Sequence, residues 1–181
     1  MRPRSYLSEG IILARRNFGE ADRIIIIFSK SFGKVSLIAK GVRRPKSRKR
    51  GHLEVFSHLK FQAAAGRGLD ILTEAEIIDN FSTIRKDLKK VAVAYFFMEA
   101  VGRTTHENEQ HTEIFEFILE YLNKLENAKS LKKLRLDFVL RLLTALGFWP
   151  KGKPMLDPDQ ELEKVIERKL SSVRVGKNLI R

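Results

Sequence analysis

The chain has 181 residues, 43% of them hydrophobic, and carries 35 Lys and Arg against 22 Asp and Glu, a net charge of +13. That balance belongs to globular proteins, not disordered or fibrous ones, and the length fits one large domain or two small ones. There is no cysteine, the N-terminus MRPRSYLSEGIILARR has no secretory apolar core, and no run approaches the ~18 apolar residues of a membrane span. Disulfides, thiol catalysis and Cys-based zinc sites are excluded, and the expectation is a soluble, basic, intracellular protein with polyanionic partners.

The first eighty residues read as strands. Residues 5–16 are apolar and β-branched up to the turn signal Asn17-Phe18-Gly19, and residues 23–29 contain four consecutive isoleucines. Being apolar on both faces, this second run predicts a strand covered on both sides. From Lys34 to Lys40 the pattern alternates, with Val35, Leu37 and Ala39 on one face. A fourth strand is expected to place Leu53, Val55, Leu59 and Phe61 on one face, opposite Glu54, Phe56, His58 and Lys60. A fifth, after Gly66-Arg67-Gly68, is expected to point Leu69, Ile71, Thr73 and Ala75 away from Asp70, Leu72, Glu74 and Glu76. Five short strands in about 80 residues are economically closed into a small barrel, because closure removes exposed edges. An OB-fold and an SH3-like barrel both satisfy this pattern.

At Asn80 the apolar period changes from two to nearly four. Asn80 or Ser82 is expected to cap a helix reaching Gly102, with a break near Leu88. Further stripes run over Ile114–Leu125 and over Leu131–Leu146, the latter closed by Gly147 and Pro150. Asp157 before Pro158 opens a last helix bearing Leu162, Val165, Ile166 and Leu170. The expected class is α+β: a barrel domain over 1–80 and an all-helical domain over 81–181.

Residues 1–80 carry a net charge of +8 and residues 81–181 a net of +5. The densest stretch, KGVRRPKSRKR from Lys40 to Arg50, holds seven cations in eleven residues and no acid. Its Gly41, Pro45, Ser47 and Gly51 mark a loop. A solvated loop kept for solubility is the plain alternative, but mixed surface charge would serve solubility without such one-sidedness. Cations that meet phosphates release condensed counterions, which makes this loop the candidate polynucleotide site. Phe18, Phe32 and Phe56 are candidates for base stacking, with packing inside the protein as the alternative.

Signatures of catalysis are weak. Phe28 stands where a P-loop needs its first glycine, and Gly66-Arg67-Gly68 lacks the third glycine of a dinucleotide fingerprint. His52, His58, His106 and His111 do not have metal-ligand spacing. Glu113, Glu116 and Glu120 read as the wet face of an amphipathic helix rather than a two-metal nuclease site. No catalytic residue, metal or cofactor is expected.

The first domain resembles the bacterial recombination mediator RecO. The likeness is carried by the isoleucine-rich opening, Glu20-Ala21-Asp22, Gly33-Lys34, Lys40-Gly41 with Arg43-Arg44, Lys46-Ser47-Arg48 and Leu72-Thr73-Glu74-Ala75-Glu76. It continues more loosely to Leu146-Gly147-Phe148 and Pro150. The resemblance implies an N-terminal five-stranded OB-fold, a helical domain, and non-enzymatic DNA repair by homologous recombination. It implies binding to single- and double-stranded DNA, annealing of complementary strands, and help in loading the RecA recombinase onto DNA coated with single-strand-binding protein. The implied partners are a RecR-type ring protein and the acidic tail of single-strand-binding protein, and the implied location is the bacterial cytoplasm, at the nucleoid. Carried over, Lys34, Lys40, Arg43, Arg44, Lys46, Arg48, Lys49 and Arg50 are the residues expected to contact phosphates. For the acidic tail, a groove lined by Phe96, Phe97 or Phe138 with nearby cations is expected. Many family members carry a four-cysteine zinc motif beyond the position of Pro150; this chain has none, and its tail after Leu156 is short. The alternative function is an RNA- or ribosome-associated OB-fold module.

Overall fold

A computed structural model describes residues 4–47, 51 and 53–166. Five strands come first: β1 (Ser5–Phe18), β2 (Asp22–Ser29), β3 (Gly33–Ala39), β4 (His58–Ala64) and β5 (Asp70–Asp79). They close into a barrel in the order β1-β2-β3-β5-β4. All pairings are antiparallel except β3 with β5, where Leu37 lies opposite Asp70 and Ile38 opposite Ile71. This five-stranded Greek-key closure is an OB-fold.

The interior follows the alternation of the strands. Ile25 and Ile27 of β2, Val35, Leu37 and Ala39 of β3, and Leu59 and Phe61 of β4 form one apolar cluster with Tyr6 and Ile12 of β1. Gly10 also faces inward, where a Cβ would stand 2.3 Å from Ile27 Cγ2 and 3.0 Å from Phe61 Cε1, so β1 passes too close to β2 for any side chain. The other face of β2 is buried as well, at Ile24 and Phe28, as the all-apolar run predicts.

Two expected strand faces are corrected. Residues 53–57 do not extend β4. Phe56 takes a left-handed backbone (φ 57°), its N–H donates to the Ile12 carbonyl at 2.8 Å, and the Ile12 N–H donates to the Ser57 carbonyl. The chain here wraps a bulge in β1, where the register skips Leu13, and Phe56 is fully buried along with Leu53 and Val55. In β5, Leu72 points inward instead of Leu69 and Ile71. A bulge facing Gln62 and Ala63 skips Thr73 in the register and inverts the parity, so Ala75, three residues on, packs inward too.

The helices are α1 (Ser82–Arg85), α2 (Leu88–Thr104), α3 (Thr112–Glu126), α4 (Leu131–Ala145) and α5 (Pro158–Ile166). The break near Leu88 is real, but the cap differs from expectation. Neither Asn80 nor Ser82 caps α1; its N-cap is Phe81, with no side-chain bond. Asp87 caps α2, its carboxylate accepting from the N–H groups of Lys89 (2.9 Å) and Lys90 (3.4 Å). Ser130 caps α4, Gly147 at φ 79° follows its end, and Asp157 accepts from the Gln160 N–H at 3.1 Å. Leu170 lies outside the described residues.

The chain forms two compact units. One comprises the described residues to Asn80 together with Thr105–Phe115; the other comprises Phe81–Thr104 and the described residues from Glu116 onward. Within the first unit, Thr105–Phe115 lies along the start of β3. The Asn108 N–H donates to the Lys34 carbonyl at 2.9 Å and Ser36 Oγ donates to Glu107 at 2.6 Å. Gly33 is required there: at φ 65°, a Cβ would stand 1.8 Å from the Glu109 carbonyl oxygen. In the second unit Phe97 and Phe138 stack at 4.0 Å, with Phe117 and Tyr121 against Phe138.

Candidate nucleic-acid interface

The basic β3–β4 loop is held to the barrel at both ends. Val42 and Leu53 are fully buried in the barrel cluster. Between Ala39 and Val42 the chain turns through Gly41 (φ 64°), whose N–H donates to Asp22 Oδ1 at 2.7 Å. The Arg43 N–H donates to the Ala21 carbonyl at 2.8 Å and its guanidinium to the Gly19 carbonyl at 3.1 Å, so the loop is tied to the β1–β2 turn. Two further turns follow, from the Arg44 N–H to Gly41 and from the Ser47 N–H to Arg44. At the far end Arg15 pairs with Glu54 at 2.5 Å beside Leu53.

This tethering fixes where the cations stand. Lys40, Arg44 and Lys46 are exposed and Arg43 is half-buried. Among the described residues, no carboxylate pairs with any of the four. Arg48, Lys49 and Arg50 lie outside the described residues.

Lys34 is set apart from these four. Its Nζ donates to the Thr105 carbonyl, and burial holds its ammonium below the usual lysine range, a shift partly offset by Glu107. It ties Thr105–Phe115 to β3. The candidate aromatics also separate. Phe56 is buried and Phe32 packs on Tyr6 at 4.6 Å, whereas Phe18 stands in solvent at the tip of the β1–β2 hairpin. Sequence reasoning offers all three, Phe18 and Phe32 in turns and Phe56 on the expected strand face opposite Leu53 and Val55; only the packing distinguishes them.

In the second unit, Phe96, Phe97 and Phe138 are buried in the helical core and line no open groove. Sequence reasoning missed a cavity of about 650 Å³ elsewhere, between α4 and the turn after it. Leu140, Ala145 and Pro154 supply apolar walls, and Arg141, Lys151 and Lys153 line it as cations. Trp149 steadies the turn by donating its indole N–H to the Lys153 carbonyl at 3.0 Å. The only sequence signal for this site is Lys151-Gly152-Lys153-Pro154 just past a helix stop.

Among the described residues, no three His, Asp or Glu side chains converge as metal ligands. No described helix is long and apolar enough to cross a membrane.

Comparison with known proteins completes the picture. The family described as "Recombination protein O N terminal" matches residues 1–81, and "Recombination protein O C terminal" matches residues 85–152. Among curated proteins, the DNA repair protein RecO of Roseiflexus sp. (strain RS-1) is 35% identical over 151 residues, covering 83% of this chain and 53% of the relative. That of Symbiobacterium thermophilum is 34% identical over 146 residues, covering 80% of this chain and 58% of the relative. The chain thus spans about half the length of the curated relatives it matches. An OB-fold carrying a basic loop, helices after it, and family matches over both parts lead to one assignment: the chain belongs to the RecO family.

Proposed function

We propose that the chain serves DNA repair by homologous recombination as a non-enzymatic DNA-binding and strand-annealing protein. One observation carries this reading: Lys40, Arg43, Arg44 and Lys46 project from a loop anchored by buried Val42 and Leu53, with no described carboxylate to neutralise them. Each cation that meets a phosphate releases counterions, and contacts to the backbone carry no sequence preference. Annealing needs no catalytic group. It needs cations that lower the repulsion between two polyanions while the bases stay free to pair, and the exposed Lys40, Arg44 and Lys46 supply these. Family membership supports the partners: a RecR-type ring protein, the acidic tail of single-strand-binding protein, and through them the loading of RecA. The cavity lined by Arg141, Lys151 and Lys153 has the charge and the apolar walls to seat that tail. Lys34, occupied with Thr105, serves the fold and not the phosphates.

The test is charge reversal at exposed positions, Arg44→Glu with Lys46→Glu, followed by annealing of strands precoated with single-strand-binding protein. Binding to oligonucleotides and annealing are expected to fall together while the thermal midpoint holds. Unchanged affinity removes the loop as the site. Oligomers of one sequence in DNA and RNA, run in parallel, expose a preference for the 2′-OH if the partner is RNA.

A further inference from the structure

Of the twelve phenylalanines, all described, Phe18 and Phe148 are the exposed ones, Phe18 with 51% of its surface in water. Phe18 ends β1 directly opposite Asp22, while Arg16 lies opposite Ile24, which in turn faces Ile38 of β3. Opposed residues share a face of the sheet. Phe18 and Arg16 therefore belong to the outer face of the first three strands, away from the interior side that Ile25 and Ile27 occupy. Arg16 and Lys40, the latter two residues past Ile38, are both exposed. The hairpin tip that carries the ring is not loose: Arg43 holds the Gly19 and Ala21 carbonyls, and Asp22 holds Gly41. An aromatic ring thus stands in solvent on a tethered hairpin tip beside the cationic loop, where it contributes nothing to the core.

We infer that Phe18 is a base-stacking platform that makes this site select single strands, with phosphates running over Arg16, Lys40 and Arg44. The inference rests on the DNA-binding reading and adds strand selectivity to it. A base stacked on the ring uses its π-face and keeps its Watson–Crick edge free, so a strand held here still searches for its complement. In a duplex both faces of each base are covered by neighbouring pairs, the ring has no partner, and only the phosphate contacts remain. Strands are held more tightly than the annealed product, which favours release. Glu20, exposed on the same tip, repels phosphates and turns the backbone toward the loop side.

The experiment measures fluorescence anisotropy of the full chain at fixed salt with three labelled ligands: a thymidine oligomer, an oligomer of abasic sites, and a duplex. Phe18→Ala is expected to weaken binding to the thymidine oligomer by about 5- to 150-fold, the range for losing one base–aromatic stack. Binding to the abasic oligomer and the duplex is expected to be unchanged, and Phe18→Trp is expected to retain single-strand affinity. An equal loss on all three ligands, or no loss on the thymidine oligomer, overturns the inference. If the unsubstituted chain binds none of the three, the DNA-binding reading itself falls; if it binds and Arg44→Glu with Lys46→Glu changes nothing, the loop is not the site and the inference falls while DNA binding stands. Since Phe18 packs against no core, its unfolding midpoint serves as the control for folding.

Discussion

Tyr121 shows how one residue joins the core to the surface. Its ring is buried against Phe97, Phe117 and Phe138, while its hydroxyl donates to Asp137 and lies 3.4 Å from Arg141. Burial first, and the Asp137 carboxylate second, push the phenol well above the usual tyrosine range. Its contribution to stability is complete below pH ~10, where the unfolded chain also holds the proton, and is lost as the pH rises and the unfolded tyrosine ionises first. Lys34, lowered by burial, acts in the opposite direction below its ordinary value, because the folded state releases that proton first. Urea midpoints followed from pH 8 to 11 are expected to fall less steeply in Tyr121→Phe than in the unsubstituted chain. Equal slopes would show that the hydroxyl–Asp137 contact is not maintained in solution. The alternation of residues 53–61 puts Phe56 on the face of Lys60 and leaves open whether it is outward or covered; the left-handed backbone at Phe56 breaks that alternation, and its ring is fully buried.

At the scale of elements, caps and bulges decide what periodicity leaves open. Asp87 receives two N–H groups of α2, and Asp87→Ala is expected to cost about 1 kcal/mol. In a chain of this size that lowers the thermal midpoint by about 2–4 °C, read by circular dichroism. Sequence reasoning placed a break near Leu88 but assigned the capping role upstream, to Asn80 or Ser82. The short α1 has Phe81 as its N-cap, with a left-handed backbone and no side-chain bond. Bulges are harder still to read. Thr73 and Leu13 each add a residue that the facing strand does not match, and each inverts the alternation beyond it. A pattern of apolar and polar letters carries the period of a strand but not the place where the ladder skips.

For the whole molecule the relevant quantity is a net charge of +13 and where it is concentrated. With four or five loop cations on phosphates, the affinity for single strands is expected to fall with salt at a log–log slope of about −3. Arg44→Glu with Lys46→Glu removes two contacts and is expected to reduce that slope by about 1.4 in magnitude. A slope that stays the same would mean other cations carry the contact. The strand runs, the helix stripes, the acid-free loop and the family were all legible in the residues themselves, because composition and spacing along the chain encode periodicity, turns and local charge. Tertiary structure alone decided that Thr105–Phe115 packs with the barrel, that Lys34 is spent on the Thr105 carbonyl, and that Phe96, Phe97 and Phe138 are core while Phe18 is exposed. Burial and pairing are properties of residues far apart in the chain, and a one-dimensional pattern holds the tendency of each residue but not the neighbour it meets.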